Sequence, residues 1–218
     1  TTAVHIRGAE SEQTVALIDG VKLNDPSAPG GGFNFGDLLV GNIARIEVLR
    51  GSPSVLWGSQ AIGGVINLIT REPTEDLAAN VRAEYGWRST RAVVGNVSRK
   101  IGPVSASVGA SGFRTEGISA FSEQRGGTER DGYRNFGANA KFNIAVTDNI
   151  SVDLRGWYSN GRAEVDGFPP PTFDLADTPE YSRTRELVSY AALNASTFEG
   201  RLQNRVAVAY TNIERESI

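Results

Sequence analysis

The chain has 218 residues, of which 39% are hydrophobic and 22% charged, and its formal net charge at pH 7 is −3. A net negative charge argues against nucleic acid as a partner, because binding to phosphates requires a basic face. The absence of cysteine excludes disulfides and thiolate metal sites, and no run of about 18 apolar residues predicts a membrane-spanning helix.

The first third of the chain has short apolar segments between glycine-rich turns. Residues 15–19, 43–49 and 65–70 predict three strands, the first of which ends in the turn-forming pair Asp19-Gly20. Residues 37–39 and 54–57 each suit one helical turn. These patterns predict a small α+β domain over residues 1–75.

From residue 76 onward, apolar and polar residues alternate in segments of about ten residues, the length of a tilted strand that crosses a bilayer. Five segments have assignable faces, and their apolar members include Val81, Val108, Phe136, Leu154 and Val206. Residues 92–100 and 187–198 also predict strands, without a clear face. The same alternation is compatible with a soluble β-sandwich or a lipocalin-like barrel.

The connections between these segments alternate in length. Residues 101–103, 147–149 and 199–201 predict tight turns, whereas 115–131 and 161–184 predict long polar loops. One further tight turn is expected at Arg88-Ser89. Short turns at one end and long loops at the other are typical of outer-membrane barrels.

Three motifs in the first domain resemble a known family. They are LIDGVKLN at residues 17–24, IARIEVLRG at 43–51 and WGSQAIGGVINLIT at 57–70, preceded by HIRG at 5–8. In order and spacing they resemble the plug signature of TonB-dependent outer-membrane receptors, and most closely the cobalamin transporter group. The resemblance covers residues 4–70.

The resemblance implies a mainly β fold, with a plug domain at residues 1–75 and the first strands of a transmembrane β-barrel at residues 76–218. Family barrels have about 22 strands around a plugged lumen, so seven strands should form an open antiparallel sheet rather than a closed barrel. We therefore expect the chain to be a fragment, with the segment that binds TonB upstream of Thr1.

The function implied is TonB-dependent import of a scarce nutrient, such as cobalamin, a siderophore or another metal chelate, across the outer membrane of a Gram-negative bacterium. The expected partners are the TonB energy-transducing complex, the small-molecule ligand and outer-membrane lipid. The alternative is an extracellular β-rich binding or adhesion module that does not transport.

No enzyme is predicted. His5 is the single histidine and has no matched nucleophile and acid, and Gly58 to Gly64 lacks the Lys and Ser/Thr of a phosphate-binding loop. No cofactor is required by the resemblance.

Ligand binding is expected at the loop that follows the first motif. It offers polar groups and two aromatic faces, a mixture that suits a small-molecule site, although a loop that only packs against the barrel would look the same. The predicted ligand contacts are Asn24, Asp25, Ser27, Phe33, Asn34 and Phe35.

Charged residues of the plug are expected to pair with charges that line the barrel, across a polar interface, unless they are simply solvated. The predicted plug-to-barrel contacts are Arg45, Glu47 and Arg50 on the plug, with Arg82, Glu84, Asp153 and Arg155 on the barrel.

A candidate calcium site is predicted in the second long loop. Asp166, Asp174 and Asp177 lie within one stretch, and Ca²⁺ takes several oxygen ligands at once. Loops in this region bind calcium in the cobalamin group, and the alternative is three solvated carboxylates.

Overall fold

The fold was analysed in a computed structural model, which describes residues 2–23, 29–51, 54–119, 121 and 130–218. Two separate sheets account for most of it, one of four strands and one of seven. The first sheet ends at Thr70 and the second begins at Ala78. We call the part up to Thr70 the plug and the seven-stranded sheet the wall.

The plug sheet has the strand order β2-β1-β4-β3. Its strands are β1 (Thr14–Ile18), β2 (Val21–Lys22), β3 (Ile43–Arg50) and β4 (Gly64–Thr70). β1 and β4 are parallel, whereas β1 with β2 and β3 with β4 are antiparallel. The three predicted strands are thus confirmed, and β2 adds a fourth because Asp19 and Gly20 both have positive φ and close a tight hairpin.

Short helical turns connect the plug strands. The helix α1 covers Ser54–Trp57, and 3₁₀ turns cover Ser11–Gln13, Pro29–Gly31, Phe35–Asp37 and Val40–Asn42. In the described part of the chain, no helix is long and apolar enough to cross a membrane.

Two adjacent glycines allow the plug to pack tightly. A Cβ added at Gly64 would lie 2.4 Å from the backbone oxygen of Leu49, and one at Gly63 would lie 2.6 Å from the Cβ of Ala9. Any larger residue at either position would push neighbouring segments apart, so the glycines in this motif are needed for packing.

The wall is an antiparallel meander in which each strand pairs with the next along the chain. The strands β5 and β11 at its two edges do not pair with each other, so the sheet is open as predicted. The strands are β5 (Ala78–Gly86), β6 (Thr90–Ile101), β7 (Val104–Thr115), β8 (Tyr133–Thr147), β9 (Ile150–Gly167), β10 (Ala176–Thr197) and β11 (Leu202–Ser217).

The two faces of the wall differ sharply. Apolar side chains point away from the plug and are exposed, for example Val81 at 78%, Val206 at 73% and Val208 at 67%. On the opposite face Ser111, Ser159 and other polar residues are buried beneath the plug. We call these the lipid face and the lumen face. The lipid-face residues are the apolar members of the alternation found in the sequence.

The connections at the two ends of the wall also differ. Turns of two to four residues join β6 to β7, β8 to β9 and β10 to β11, and a longer connection, part of it outside the described residues, joins β7 to β8. The loop predicted over residues 161–184 was wrong at its ends. Strand β9 continues to Gly167 and β10 begins at Ala176, so only residues 168–175 connect them. The polar composition of these extensions reflects solvated strands beyond the membrane rather than a loop.

Candidate functional site: the contact between plug and wall

A groove lined by glycines on the lumen face receives the plug. A Cβ added at Gly109 of β7 would lie 2.3 Å from the side chain of Asn42, and one at Gly161 of β9 would lie 2.8 Å from Oδ1 of Asp37. At Gly137 of β8 it would lie 3.5 Å from Leu39. The plug segment 37–42 therefore sits where the wall has no side chains.

A buried polar network fixes this segment near the end of the wall that has the longer connections. The carboxylate of Asp37 accepts hydrogen bonds from the hydroxyl of Tyr133 at 3.0 Å and from Nδ2 of Asn34 at 2.8 Å. Its backbone carbonyl accepts from Nδ2 of Asn135 at 2.6 Å and from Oγ of Ser159 at 3.2 Å. Wall residues thus satisfy both the side chain and the backbone of Asp37. Long connections lie on the extracellular side in outer-membrane barrels, so this network marks the outer end of the plug.

A second polar contact, which we call the latch, holds the turn at Asp19. Nη1 of Arg155 on β9 donates to the backbone carbonyl of Asp19 at 2.6 Å. Nζ of Lys141 on β8 lies 3.8 Å from Oδ1 of Asp19 and also pairs with Glu72. The same Asp19 carboxylate accepts from the backbone N–H of Thr70 at 3.0 Å, which ties the turn to the end of β4.

Wall residues hold Arg155 in position. Asp153, two residues away on β9, accepts from Nε of Arg155 at 3.0 Å and pairs with Arg205 of β11 at 3.1 Å. The guanidinium of Arg155 lies 5.0 Å from the ring centroid of Tyr190. A guanidinium held by a carboxylate and an aromatic ring has little freedom, so its remaining donor is directed at the plug.

The interface also has an apolar part, which the sequence analysis did not anticipate. Trp157 and Val188 of the wall are 8% and 3% exposed, and they belong to the same core cluster as plug residues such as Ile18 and Leu68. The predicted polar interface therefore accounts for only part of the contact. The Asp37 network and the Asp19 contact are polar, whereas the cluster around Trp157 and Val188 is apolar.

Most of the charges predicted to pair across the interface pair within one strand instead. Arg45 contacts Glu47 on β3 at 2.8 Å, and Arg82 contacts Glu84 on β5 at 3.0 Å. Residues two apart on a strand lie on one face, so such pairs form without a partner element. Arg50 is exposed, and Asp153 pairs within the wall.

The predicted ligand contacts divide into two groups. Asn24, Asp25 and Ser27 lie outside the described residues. Phe33 is 5% exposed in the plug core, with its ring 5.0 Å from that of half-buried Phe35. Oδ1 of Asn34 accepts from the backbone N–H groups of Thr2 and Gly36, so this side chain caps a 3₁₀ turn. Phe33 and Asn34 were predicted to contact the ligand, but both side chains make contacts inside the plug instead.

The three carboxylates of the predicted calcium site are not brought together. Asp166 on β9 accepts from Oγ of Ser119 at 3.1 Å and from the backbone N–H of Phe121 at 2.6 Å. Asp174 is exposed in the connection, and Asp177 lies on β10. Within the described ranges, no three acidic or histidine side chains are grouped closely enough to hold a metal ion.

Sequence reasoning missed Lys141, Tyr133, Asn135 and Asp37 as interface residues. Lys141 and Asn135 do occupy polar positions of the alternation, which was a usable signal for the lumen face. Nothing in the sequence indicated which lumen positions the plug would touch.

A small sheet seated on the polar inner face of an antiparallel wall, whose outer face is apolar, defines a plugged outer-membrane barrel. Comparison with known proteins agrees. Residues 1–65 match the family model of the TonB-dependent receptor plug domain. The vitamin B12 transporter BtuB of Photobacterium profundum is 33% identical over 167 residues, which are 76% of this chain and 27% of the transporter.

Two further matches extend the comparison. The iron-regulated outer membrane virulence protein of Vibrio cholerae is 41% identical over 97 residues, 42% of this chain and 15% of that protein. The crystal structure of the siderophore receptor PiuA from Acinetobacter baumannii matches with a TM-score of 0.74 and 15% identity, over 100% of this chain and 31% of that one. The chain therefore spans about a quarter to a third of the length of BtuB and PiuA.

The chain belongs to the TonB-dependent receptors, with similarity to the cobalamin transporters among them. It comprises a plug and antiparallel strands of an outer-membrane β-barrel of a Gram-negative bacterium.

Proposed function

We propose that the complete receptor imports a scarce nutrient across the outer membrane, energised by the TonB complex, and that it has no catalytic activity. The observation that carries this proposal is the way the plug is held. The contacts that its described residues make with the wall are hydrogen bonds, an ion pair and an apolar patch, all of them non-covalent and reversible. A plug held in this way closes the lumen at rest and can be displaced by a force applied from the periplasm.

Cobalamin is the first substrate to test, with siderophores and other metal chelates next. The relative named as a vitamin B12 transporter matches over 167 residues, so the similarity includes wall strands as well as the plug. A relative named for iron regulation matches over a shorter stretch, which keeps iron chelates as the second class.

We place the ligand on the outer side of the plug, beside the Asp37 network. Residues 24–28 lie outside the described residues, between Leu23 and Pro29 in the sequence, and Asp37, nine residues further along, contacts the outer end of the wall. Polar side chains at Asn24, Asp25 and Ser27 would meet the ligand there.

The test is uptake by the complete receptor in a bacterial strain that lacks its own cobalamin and siderophore receptors. Labelled cobalamin should accumulate in cells, and accumulation should stop when TonB is deleted while surface binding persists. Uptake of a ferric siderophore alone would move the substrate to the second class. Ligand binding without any TonB-dependent uptake would favour the alternative of a binding or adhesion module.

A further inference from the structure

The lipid face carries an unusual feature near the outer end of the wall. Arg91 of β6 lies directly opposite Arg114 of β7, which lies opposite Arg134 of β8. Arg134 in turn lies opposite Arg162 of β9, and Arg162 opposite Arg183 of β10. Directly opposite residues share a face of the sheet, so five arginines form one continuous row. We call it the arginine row.

Its position borders the apolar surface. Val93 and Phe136 are two residues further along β6 and β8 on the same face, and they are 53% and 49% exposed. Two residues along a strand span about 7 Å, so the row lies just beyond the apolar belt. Tyr85 of β5 is in register with Arg91 and continues the row, as expected for an aromatic residue at the membrane interface.

The row has more arginines than neighbouring carboxylates. Glu216 of β11 lies directly opposite Arg183, and Glu116 and Glu164 lie beside the middle of the row. Like charges directly opposite on neighbouring strands are destabilising, and here four such pairs follow one another. Within the described ranges, none of the five arginines makes an ion pair within 4.0 Å. Arg162 stacks on the ring of Tyr181 at 3.9 Å, and its Nε is buried with no hydrogen-bond partner among the residues that the structure describes.

The middle of the row opens into a cavity of about 280 Å³. Arg114, Arg130, Arg134 and Arg162 line it, together with the carboxylates Glu116 and Glu164. Glu116 is already paired with Arg130, and a hydrogen bond from Ser89 helps to hold its pKa below the ordinary value, so it remains ionised beside Arg130. Glu164 accepts from the backbone N–H of Gly132 at 3.1 Å. Three arginines of the row therefore face the cavity with one carboxylate besides the Glu116 pair.

We propose that the arginine row binds the phosphate groups of lipids in the outer leaflet of the outer membrane. Guanidinium groups bind phosphate oxygens through paired, charge-assisted hydrogen bonds, and a row of five spans about 19 Å across the sheet. A lipid fits better than a soluble anion because the acyl chains of a bound lipid would lie on the apolar belt directly beside the row. One surface would then bind both parts of the lipid, the phosphate groups at the arginines and the acyl chains at the apolar belt.

The test compares two double variants of the complete receptor in detergent. Arg114→Gln with Arg134→Gln removes two members of the row, and Arg99→Gln with Arg201→Gln removes the same charge at the opposite end of the wall. Binding of diphosphorylated lipid A in mixed micelles is measured by native mass spectrometry and by titration. We expect at least about a tenfold loss of affinity in the row variant and little change in the control.

Folding is checked by heat-modifiable migration on gels. If the glutamine variant does not fold, Arg114→Lys with Arg134→Lys keeps the charge and removes paired recognition, so it should still weaken binding. Equal affinity in wild type and row variant, or an equal loss in the control, would overturn the proposal. Competition by millimolar inorganic phosphate with no preference for lipid A over its dephosphorylated form would assign the row to free phosphate and overturn the lipid assignment.

Discussion

Arg155 of the wall donates a 2.6 Å hydrogen bond to the backbone carbonyl of Asp19 of the plug, although 136 residues separate them in the sequence. The carbonyl is presented by a turn in which Asp19 has a φ of 47°. Recognition of a backbone group makes the contact depend on the shape of the turn, so this contact forms only when the β1–β2 hairpin is folded.

Replacing Arg155 with Lys should loosen the plug. Lysine keeps the charge, but it cannot bond both Asp153 and the Asp19 carbonyl with the fixed geometry of a guanidinium. We expect a loss of about 1.5–3 kcal/mol in the free energy of plug seating, the range for hydrogen bonds of charged groups. The measurement is the urea concentration at which a spin label attached at Gln60→Cys becomes mobile.

The matched control for that experiment is Arg82→Lys, because among the described residues Arg82 forms an ion pair only with Glu84 of its own strand, and its side chain is 61% exposed. It should leave the urea midpoint unchanged. An equal shift in both variants would mean that Arg155 contributes only general charge to the wall.

Replacing a glycine of the groove with alanine should also weaken the binding of the plug to the wall, by steric clash rather than by loss of a hydrogen bond. Gly109→Ala places a Cβ 2.3 Å from the side chain of Asn42, which is only 6% exposed and has little room to move. Overpacking of this kind costs about 1–3 kcal/mol. The same urea titration should show an earlier release of the plug.

Gly156→Ala serves as its control, since a Cβ there would meet no described atom within 4 Å. Gly109→Ala with an unshifted midpoint would show that the plug and wall adapt at this contact, contrary to a fixed fit.

The hydroxyl of Tyr133 should stabilise the outer end of the plug. It donates to Asp37 at 3.0 Å and lies 3.2 Å from the carbonyl of Gly36. Tyr133→Phe leaves a buried carboxylate oxygen without this donor, at a cost of about 1–3 kcal/mol. Thermal unfolding followed by the plug spin label should shift to lower temperature.

Tyr158→Phe tests the same chemical change on the lipid face, where the described structure gives the hydroxyl no hydrogen-bond partner. It should leave plug unfolding unchanged. Similar shifts for the two tyrosines would indicate an effect on the barrel as a whole.

Ligand affinity should distinguish the predicted ligand contacts Asn24, Asp25 and Ser27 from Phe33, whose side chain is part of the plug core. The triple variant Asn24→Ala, Asp25→Ala, Ser27→Ala should weaken ligand binding at least about tenfold, or 1.4 kcal/mol, with normal plug stability. Phe33→Ala should instead destabilise the plug by about 3–5 kcal/mol, because its ring is buried in the core. Calorimetric titration and plug unfolding measure the two effects separately. Unchanged affinity in the folded triple variant would assign recognition to the extracellular loops alone.

The wall strands could be predicted from the sequence because every second residue of a membrane-spanning strand faces lipid and is therefore apolar. Val81, Phe136 and Val208 show this period, and the structure places all three on the lipid face. The period ends where the membrane ends. The outer parts of β9 and β10 have polar residues on both faces, so no pattern distinguished them from a loop.

The plug-to-wall contacts were less predictable for a different physical reason. Arg155 and Asp19 meet through a backbone carbonyl, which has no signature in the sequence. Phe33 gave the opposite error, since an aromatic residue among glycines and prolines resembles a loop residue until the core that encloses it is known. Contacts of this kind depend on how two sheets are placed, and neither sheet specifies that placement alone.

The lengths of β9 and β10, 18 and 22 residues, have a consequence outside the membrane. A tilted strand needs only about ten residues to cross the bilayer, so each has several residues to spare. β8 pairs with β9 as far as Ala163, and β11 pairs with β10 as far as Ser182. Beyond these pairs β9 and β10 continue as a two-stranded extension of about four residues, roughly 14 Å at about 3.4 Å per residue, with residues 168–175 at its tip. A macromolecule that approaches the cell surface would contact that tip before it contacts the lipid. A peptide tag inserted between Phe168 and Leu175 should therefore be readable by antibodies on intact cells.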